Sequence, residues 1–377
     1  MVSKYKKNVL IVGCGLAGTT IARILAENNF KVEVIDRRNH IAGNAYDYIN
    51  KNNERIHKYG PHLLHCNKNS PALKFLDRFT DWIKYEHKVR ALLWNGKTTP
   101  LPINQYTLED IYKVKFKNQT EVINFLNSIR NKDLKPKNAD ELFEYSVGNK
   151  LSDIFFRPYS KKMWDIDPKK LSINIGARLP VRTNKDMRYF NDDFQALPKD
   201  GYTKMVEKIL SHKNINVLLN KEFNKKMEKD FDHIFLCIPI DKYFDCQNGV
   251  LPYRSILFED RIENFKDLPA PVINFTDQSI YTRKTQWNLL PNCPKLSSSK
   301  KTITYEIPCS IENNPEEYYY PVHTKQSTKI YNIYKALAKE NKKVTFCGRT
   351  GLFRYIDMIP AIQIHMQLAY NFIKTNK

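Results

Sequence analysis

The sequence predicts an α/β protein. A parallel-sheet domain is assembled from separated segments, and a helical bundle and an antiparallel β-sheet domain are inserted into it. Three observations predict this. Residues 8–36 read strand, glycine turn, helix, strand. Residues 104–165 carry apolar residues at helical spacing. Residues 250–325 alternate apolar and polar positions between turns, after which strand and helix patterns return.

The first segment, "NVLIVGCGLAG", is a short apolar run leading into Gly13, Gly15 and Gly18, with Leu16 and Ala17 between them. "AGTTIARILAEN" (17–28) continues at helical spacing, and a second apolar run (31–36) closes on Asp36. Glycines at this spacing allow a tight turn, close approach of a pyrophosphate and close helix–strand packing, and the helix N-terminus offers oriented N–H groups. An acid at the end of the second strand can accept from ribose hydroxyls. The unit is a Rossmann-like dinucleotide site and does not separate FAD from NAD. Its continuation, "DRRNHIAGNAY", with Arg37, Arg38, Gly43 and Asn44, places a small-residue turn after the acid in a basic context. That favours an extended FAD lying under a second glycine-containing loop.

The remaining elements follow in order. "SPALKFLDRFTDWIKY" (70–85) reads as a helix, and the Asn-Gly at 95–96 between two apolar runs reads as a hairpin. Within 104–165, Thr107, Thr120 and Asn138 are candidate N-caps, each followed by an acid. Residues 171–200 lose periodicity and contain prolines, so a loop is expected. "GYTKMVEKILSH" (201–212) reads as a helix; "INVLLNKEF" and "HIFLCIPI" read as strands. "KKVTFCGRTG" is a strand running into a glycine turn, and "MIPAIQIHMQLAYNFIK" is a closing helix. These segments give a dinucleotide-binding domain over 1–82, 196–248 and 330–377. A helical domain spans 104–168, and a sheet domain takes 83–103, 169–195 and 249–329.

Composition narrows the class. With 377 residues and 42% hydrophobic content the chain can bury two or three cores. No apolar run reaches the roughly 18–20 residues of a membrane span. The basic N-terminus resembles a signal peptide only superficially, because its apolar run is short and carries the glycine motif. The scattered cysteines form no CxxC pair, so reduced thiols in a cytoplasm are expected, with neither zinc nor a disulfide frame. The net charge of +21 comes from lysines dispersed along the chain. Their dispersal, with no long basic tract and no nucleic-acid motif, argues against nucleic acid as partner, while a positive cleft would help to collect a small polyanion.

Several stretches, in order along nearly the whole chain, resemble the prokaryotic UDP-galactopyranose mutase family. They are "RRNHIAGNAY" (37–46), "KYGPHLLHC" (58–66), "YSKKMWDIDPKKL" through "ARLPVR" (159–182) and "YFNDDFQALPKDGYTKMVEKIL" (189–210), then "PIDKYFD", "LPYRSI", "INFTD", "YTR", "YYYPV" and "CGRTGLFRYIDM". The resemblance implies an isomerase that interconverts the pyranose and furanose forms of UDP-galactose. Reduced FAD acts through an N5–sugar covalent adduct, and the product is a furanose donor for cell-surface polysaccharide. It also implies a homodimer and a reductant such as NAD(P)H or a reductase. Other nucleotide sugars remain open as substrates: N-acetylgalactosamine, arabinose, deoxy or heptose sugars. A flavin oxidoreductase is the alternative of another class.

Residue by residue, the resemblance implies that Arg178, in a mobile loop near 169–182, and Arg283 hold the departing diphosphate. Arginine suits that task because its planar fork matches phosphate oxygens. Tyr159 stacks on the uracil beside Phe156, and Trp164 lines the sugar region. Tyr189 and Tyr320 reach the phosphates, Tyr355 sits by sugar and flavin, and Arg254 and Asn274 are further substrate contacts. His62 and His65 lie at the flavin face, with His65 catalytic alongside Tyr355 and the two arginines. Two histidines without a third ligand do not make a metal site. Gly348, Arg349, Asp357 and Met358 form the late FAD contact, and Asp357 doubles as a helix N-cap. The chain departs from the family pattern at Ala42, Asp200 and Ile238, each in place of a glycine, and in "YEHKVRALL" (85–93).

Overall fold

A computed structural model describes residues 6–173, 180–264 and 266–376. β1 (Asn8–Val12), α1 (Leu16–Glu27) and β2 (Lys31–Ile35) form where the glycine pattern predicts them. β1 lies at the centre of a five-stranded parallel sheet, with β2 and Ile215–Leu218 on one side and His233–Leu236 and Val344–Phe346 on the other. Strands buried on both faces must be continuously apolar, and Val9, Leu10 and Ile11 are fully buried. α1 packs its Ile21 and Leu25 into the same core as Ile362 and Ala369 of the closing helix Met358–Thr375. Among the described residues no helix is long and apolar enough to cross a membrane.

The β insertion is a seven-stranded sheet in the order Tyr320–Pro321, Tyr253–Glu263, Lys301–Ser310, Arg283–Gln286, Val272–Phe275, Val89–Leu92, Thr98–Leu101. It is mixed rather than wholly antiparallel: Val272–Phe275 runs parallel to Val89–Leu92. The Asn-Gly hairpin forms between Val89–Leu92 and Thr98–Leu101, with Gly96 at φ +75°. The helical insertion contains Gln105–Tyr112, Gln119–Ile129, Ala139–Val147 and Arg157–Trp164, the last entered through a π-helical turn, Ser152–Phe156.

Four local expectations are corrected. Asn104 and Asn118, not Thr107 and Thr120, cap their helices: each asparagine side chain accepts from the backbone N–H three residues on. Thr107 is the reciprocal member of Asn104's capping box; Asn138 caps as expected. The helix read at 70–85 is only Pro71–Leu76, because Trp82–Lys84 pairs with Phe194–Pro198, so sheet pairing outcompetes helical spacing. That same strand interrupts the loop expected over 171–200. A helix at Lys325–Glu340, begun by a Thr324–Ser327 capping box, was not read from the sequence. It fully buries only Ser327 and Tyr334, while Ile330, Tyr331, Leu337 and Ala338 lie half-buried on the same face, between many exposed lysines.

Candidate functional site

At the C-terminal ends of the parallel strands a cavity of about 1670 Å³ opens and runs to the mixed sheet and the helical insertion. Its floor is backbone. Gly13 has φ +110°, and a methyl group at Gly18 would lie 2.0 Å from the Gly13 carbonyl oxygen, so only glycine lets α1 start here. Gly15 caps α1 with no side-chain hydrogen bond, which leaves the first-turn N–H groups, with Leu16 and Ala17, facing the cavity. Gly43, at φ +55°, comes so near that a methyl group on it would be 2.8 Å from the Gly15 Cα. Ala42 joins Gly15 in a parallel bridge while held at φ +70°, a left-handed conformation that costs alanine about 1 kcal/mol.

Asp36 Oδ2 accepts from Cys14 N–H (2.8 Å) and Oδ1 from Arg38 N–H (2.9 Å), so it fixes the glycine turn while lining the cavity. Burial, with Asp36 next, pushes the Cys14 thiol up to about 12. Arg38 donates to Asn44 Oδ1 at 3.0 Å, pairs with Glu317 and lies over the Tyr59 ring; Arg37 pairs with Glu316 at 2.6 Å. Gly348, Arg349, Asp357 and Met358 also line the cavity. Asp357 occupies the N-cap position of Met358–Thr375 but makes no capping bond with its side chain, so the cap role expected of it is not performed by its carboxylate.

The far end is aromatic around one cation. Arg283 is opposite Asn274 in the sheet and donates from Nε to Glu306 Oε2 at 2.7 Å. Burial works against its guanidinium, and Glu306 overrides this to hold it well above its usual range. Tyr159, Tyr189 and Tyr320 are close enough to bear on its charge. Tyr320 stacks on Tyr355 (5.6 Å) and meets Trp164 at 5.9 Å. Phe156, set by the π-helical turn, stacks on Phe143 at 5.1 Å. All of these, with Asn274, line the cavity.

The histidines divide. His62 Nδ1 meets the Gly60 carbonyl at 2.8 Å, so Nδ1 carries the proton and Nε2 is an acceptor. Burial, then His57, lowers His62 to about 3. His65 stacks on Phe190 (3.6 Å) and is fixed by Asp192 Oδ2 at 2.7 Å. His87, in the departing stretch 85–93, lines the cavity and is lowered to about 3 by burial and then by Arg283; His57 is lowered to about 4 by burial. His57 and His87 are almost wholly enclosed. In the unfolded chain they titrate near 6.5. Below that pH the unfolded state binds more protons, so stability falls as pH falls. Each loses about 2 kcal/mol between pH 7 and pH 5. The urea midpoint is expected to drop over this interval, and His87→Gln to drop less. An equal drop in the variant would show that His87 does not stay neutral in the fold.

The structure gathers every expected site residue that it describes except one. Arg254 does not line the cavity: it donates from Nε to the Met163 carbonyl at 3.0 Å and pairs with Asp165 at 3.4 Å, bracing the end of Arg157–Trp164. An arginine on the second residue of a strand has enough reach to cross to a neighbouring helix, which spacing cannot reveal. Arg178 lies outside the described residues. Ile238 faces the cavity, whereas Asp200 is exposed and has no positive φ to strain it. Sequence reasoning missed Glu306, Asp192 and His87. A charge in the inward phase of "KTITYEIPCS", where Thr302 and Thr304 are also buried, was the available signal for Glu306.

Two family models match the chain: UDP-galactopyranose mutase over residues 154–355, and an NAD(P)-binding Rossmann-like domain over 11–79. The chain is 33% identical to a probable UDP-galactopyranose mutase of Klebsiella pneumoniae, over 98% of this chain and 95% of that protein. It is 34% identical to a dTDP-fucopyranose mutase of Escherichia coli, over 98% and 99%. A crystal structure of reduced UDP-galactopyranose mutase superposes with a TM-score of 0.74 at 15% identity, covering 100% of this chain and 95% of that one. With one model spanning more than half of the sequence and relatives matching nearly all of it, the chain belongs to the UDP-galactopyranose mutase family, whose members are isomerases.

Proposed function

We propose that the protein interconverts UDP-galactopyranose and UDP-galactofuranose with reduced FAD as its cofactor. The observation that carries this reading is Arg283, locked on the buried Glu306 and facing a tyrosine-ringed cavity whose other end is the glycine floor. The floor fits a dinucleotide, since methyl groups at Gly13, Gly18 or Gly43 would meet other atoms within 3 Å. Gly13, Gly15, Gly18 and Asp36 would hold the adenosine diphosphate half, and His62, Arg349, Asp357 and Met358 the other. Bound reduced FAD supplies a nucleophilic ring nitrogen for the anomeric carbon of the sugar.

The chain's own residues do the rest. Arg283 stabilises the diphosphate as it leaves, and we assign the second such arginine to Arg178. Tyr159 and Phe156 offer the base an aromatic slot, Tyr189 and Tyr320 donate toward phosphate, and the Trp164–Tyr320–Tyr355 array confines the sugar and excludes water. We further propose a cytoplasmic homodimer, reduced by NAD(P)H or a reductase, supplying furanose donor for cell-surface polysaccharide.

Flavin-loaded protein with dithionite is expected to convert UDP-galactofuranose to UDP-galactopyranose, read by chromatography. No conversion with reduced flavin bound would overturn the reading. The dTDP-fucopyranose mutase relative motivates a second arm with dTDP-fucopyranose. A higher kcat/KM on that substrate would keep the ring chemistry and replace the sugar nucleotide.

A further inference from the structure

We infer that Cys237 and Cys347 are a reversible disulfide-forming pair, a redox-modification site in the floor of the dinucleotide groove. Their sulfurs are 3.1 Å apart, in contact as thiols. They follow the paired residues Leu236 and Phe346 on neighbouring parallel strands, where backbones run about 4.8 Å apart, within the span a disulfide bridges. Both backbones are anchored: Cys237 N–H donates to Val12 O and Cys347 N–H to Leu236 O, each at 2.8 Å. The sulfurs have only about 1 Å to close to reach bonding distance.

The two thiols are unequal. Cys237 is half-buried and lines the cavity, whereas Cys347 is fully enclosed. A small oxidant entering by the groove therefore reaches Cys237 first. Hydrogen peroxide suffices and balances. The Cys237 thiolate attacks one peroxide oxygen, the O–O bond breaks, and the released hydroxide takes up a proton as water, leaving a sulfenic acid. The Cys347 sulfur then attacks the Cys237 sulfur; the S–S bond forms, the S–O bond breaks, and the second hydroxide leaves as water with the Cys347 proton. A dithiol reductant reverses the reaction. Cys14 is the competitor on the same floor, since the charge of Cys237 bears on its thiol, but it is fully buried.

The test treats purified protein, flavin-free and flavin-loaded in parallel, with dilute hydrogen peroxide, and the flavin-free arm, whose groove is open to the oxidant, decides. Thiol titration after denaturation is expected to find two fewer thiols than the seven of the untreated chain. The intact mass falls by two hydrogens, the peptide map joins Cys237 to Cys347, and dithiothreitol restores both readings. Cys237→Ser and Cys347→Ser each abolish the cross-link. The wild-type map decides on its own if the Cys347 variant fails to fold. An unchanged thiol count, a cross-link through Cys14, or oxygen added to Cys237 without a cross-link would overturn the assignment. None of these readings depends on which sugar is turned over.

Discussion

Arg283→Ala lowers kcat/KM by roughly 30- to 1,000-fold, the effect of removing about 2–4 kcal/mol of charge-assisted stabilisation from a departing diphosphate. Arg283 is half-buried and its Nε is already committed to Glu306 at 2.7 Å, which leaves the outer face of the fork for phosphate oxygens. The change has a second effect that must be separated from the first. Glu306 is almost wholly buried, its Oε1 has no hydrogen-bond partner, and burial already pushes its carboxyl up against the opposing pull of Arg283. Without the arginine an uncompensated charge stays in the sheet, at a cost of about 3–5 kcal/mol in stability. Arg283→Ala with Glu306→Gln should regain much of that stability in urea unfolding and none of the turnover. Turnover of Arg283→Ala within about threefold of wild type would refute the diphosphate role.

Gly18→Ala abolishes dinucleotide binding and destabilises the fold by about 3 kcal/mol. The added methyl group would sit 2.0 Å from the Gly13 carbonyl oxygen and 3.0 Å from Ile11 Cγ2. Neither neighbour can yield, since Gly13 N–H is tied to Ile35 O at 2.8 Å and Ile11 is in the centre of the sheet. α1 would have to lift off β1, carrying away the N–H groups that face the cavity. The comparison is Gly96→Ala. Gly96 has a positive φ that Gly18 lacks, but a methyl group there meets nothing within 4 Å, so it costs only about 1 kcal/mol and leaves the cofactor bound. Flavin absorbance of the purified variants and their urea midpoints read both effects; a Gly18→Ala protein that retains flavin would contradict the geometry.

Local and periodic signals were legible in the residues. Strand, glycine turn and helix at 8–35 form where spacing put them, because that chemistry is set by neighbours in sequence. The closing helix and the Asn-Gly hairpin are readable for the same reason. The caps were misread by a few residues because asparagine and threonine compete for the same role, and the side-chain geometry that favours Asn104 and Asn118 is not encoded in spacing. Trp82–Lys84 was misread because its partner, Phe194–Pro198, lies more than a hundred residues away.

The site divides along the same line. Residue types suited to phosphate, base and cofactor could be named one by one, since each bears its chemistry in its side chain. Pairings could not. That Arg283 is held by Glu306, His65 by Asp192, and Cys237 by contact with Cys347 depends on strands brought together across 23, 127 and 110 residues. The same packing sends Arg254 to the Met163 carbonyl instead of the cavity. Identity of side chains is a property of the chain, whereas burial, charge compensation and reach are properties of the folded sheet, and only the folded sheet decides which arginine is available to a phosphate.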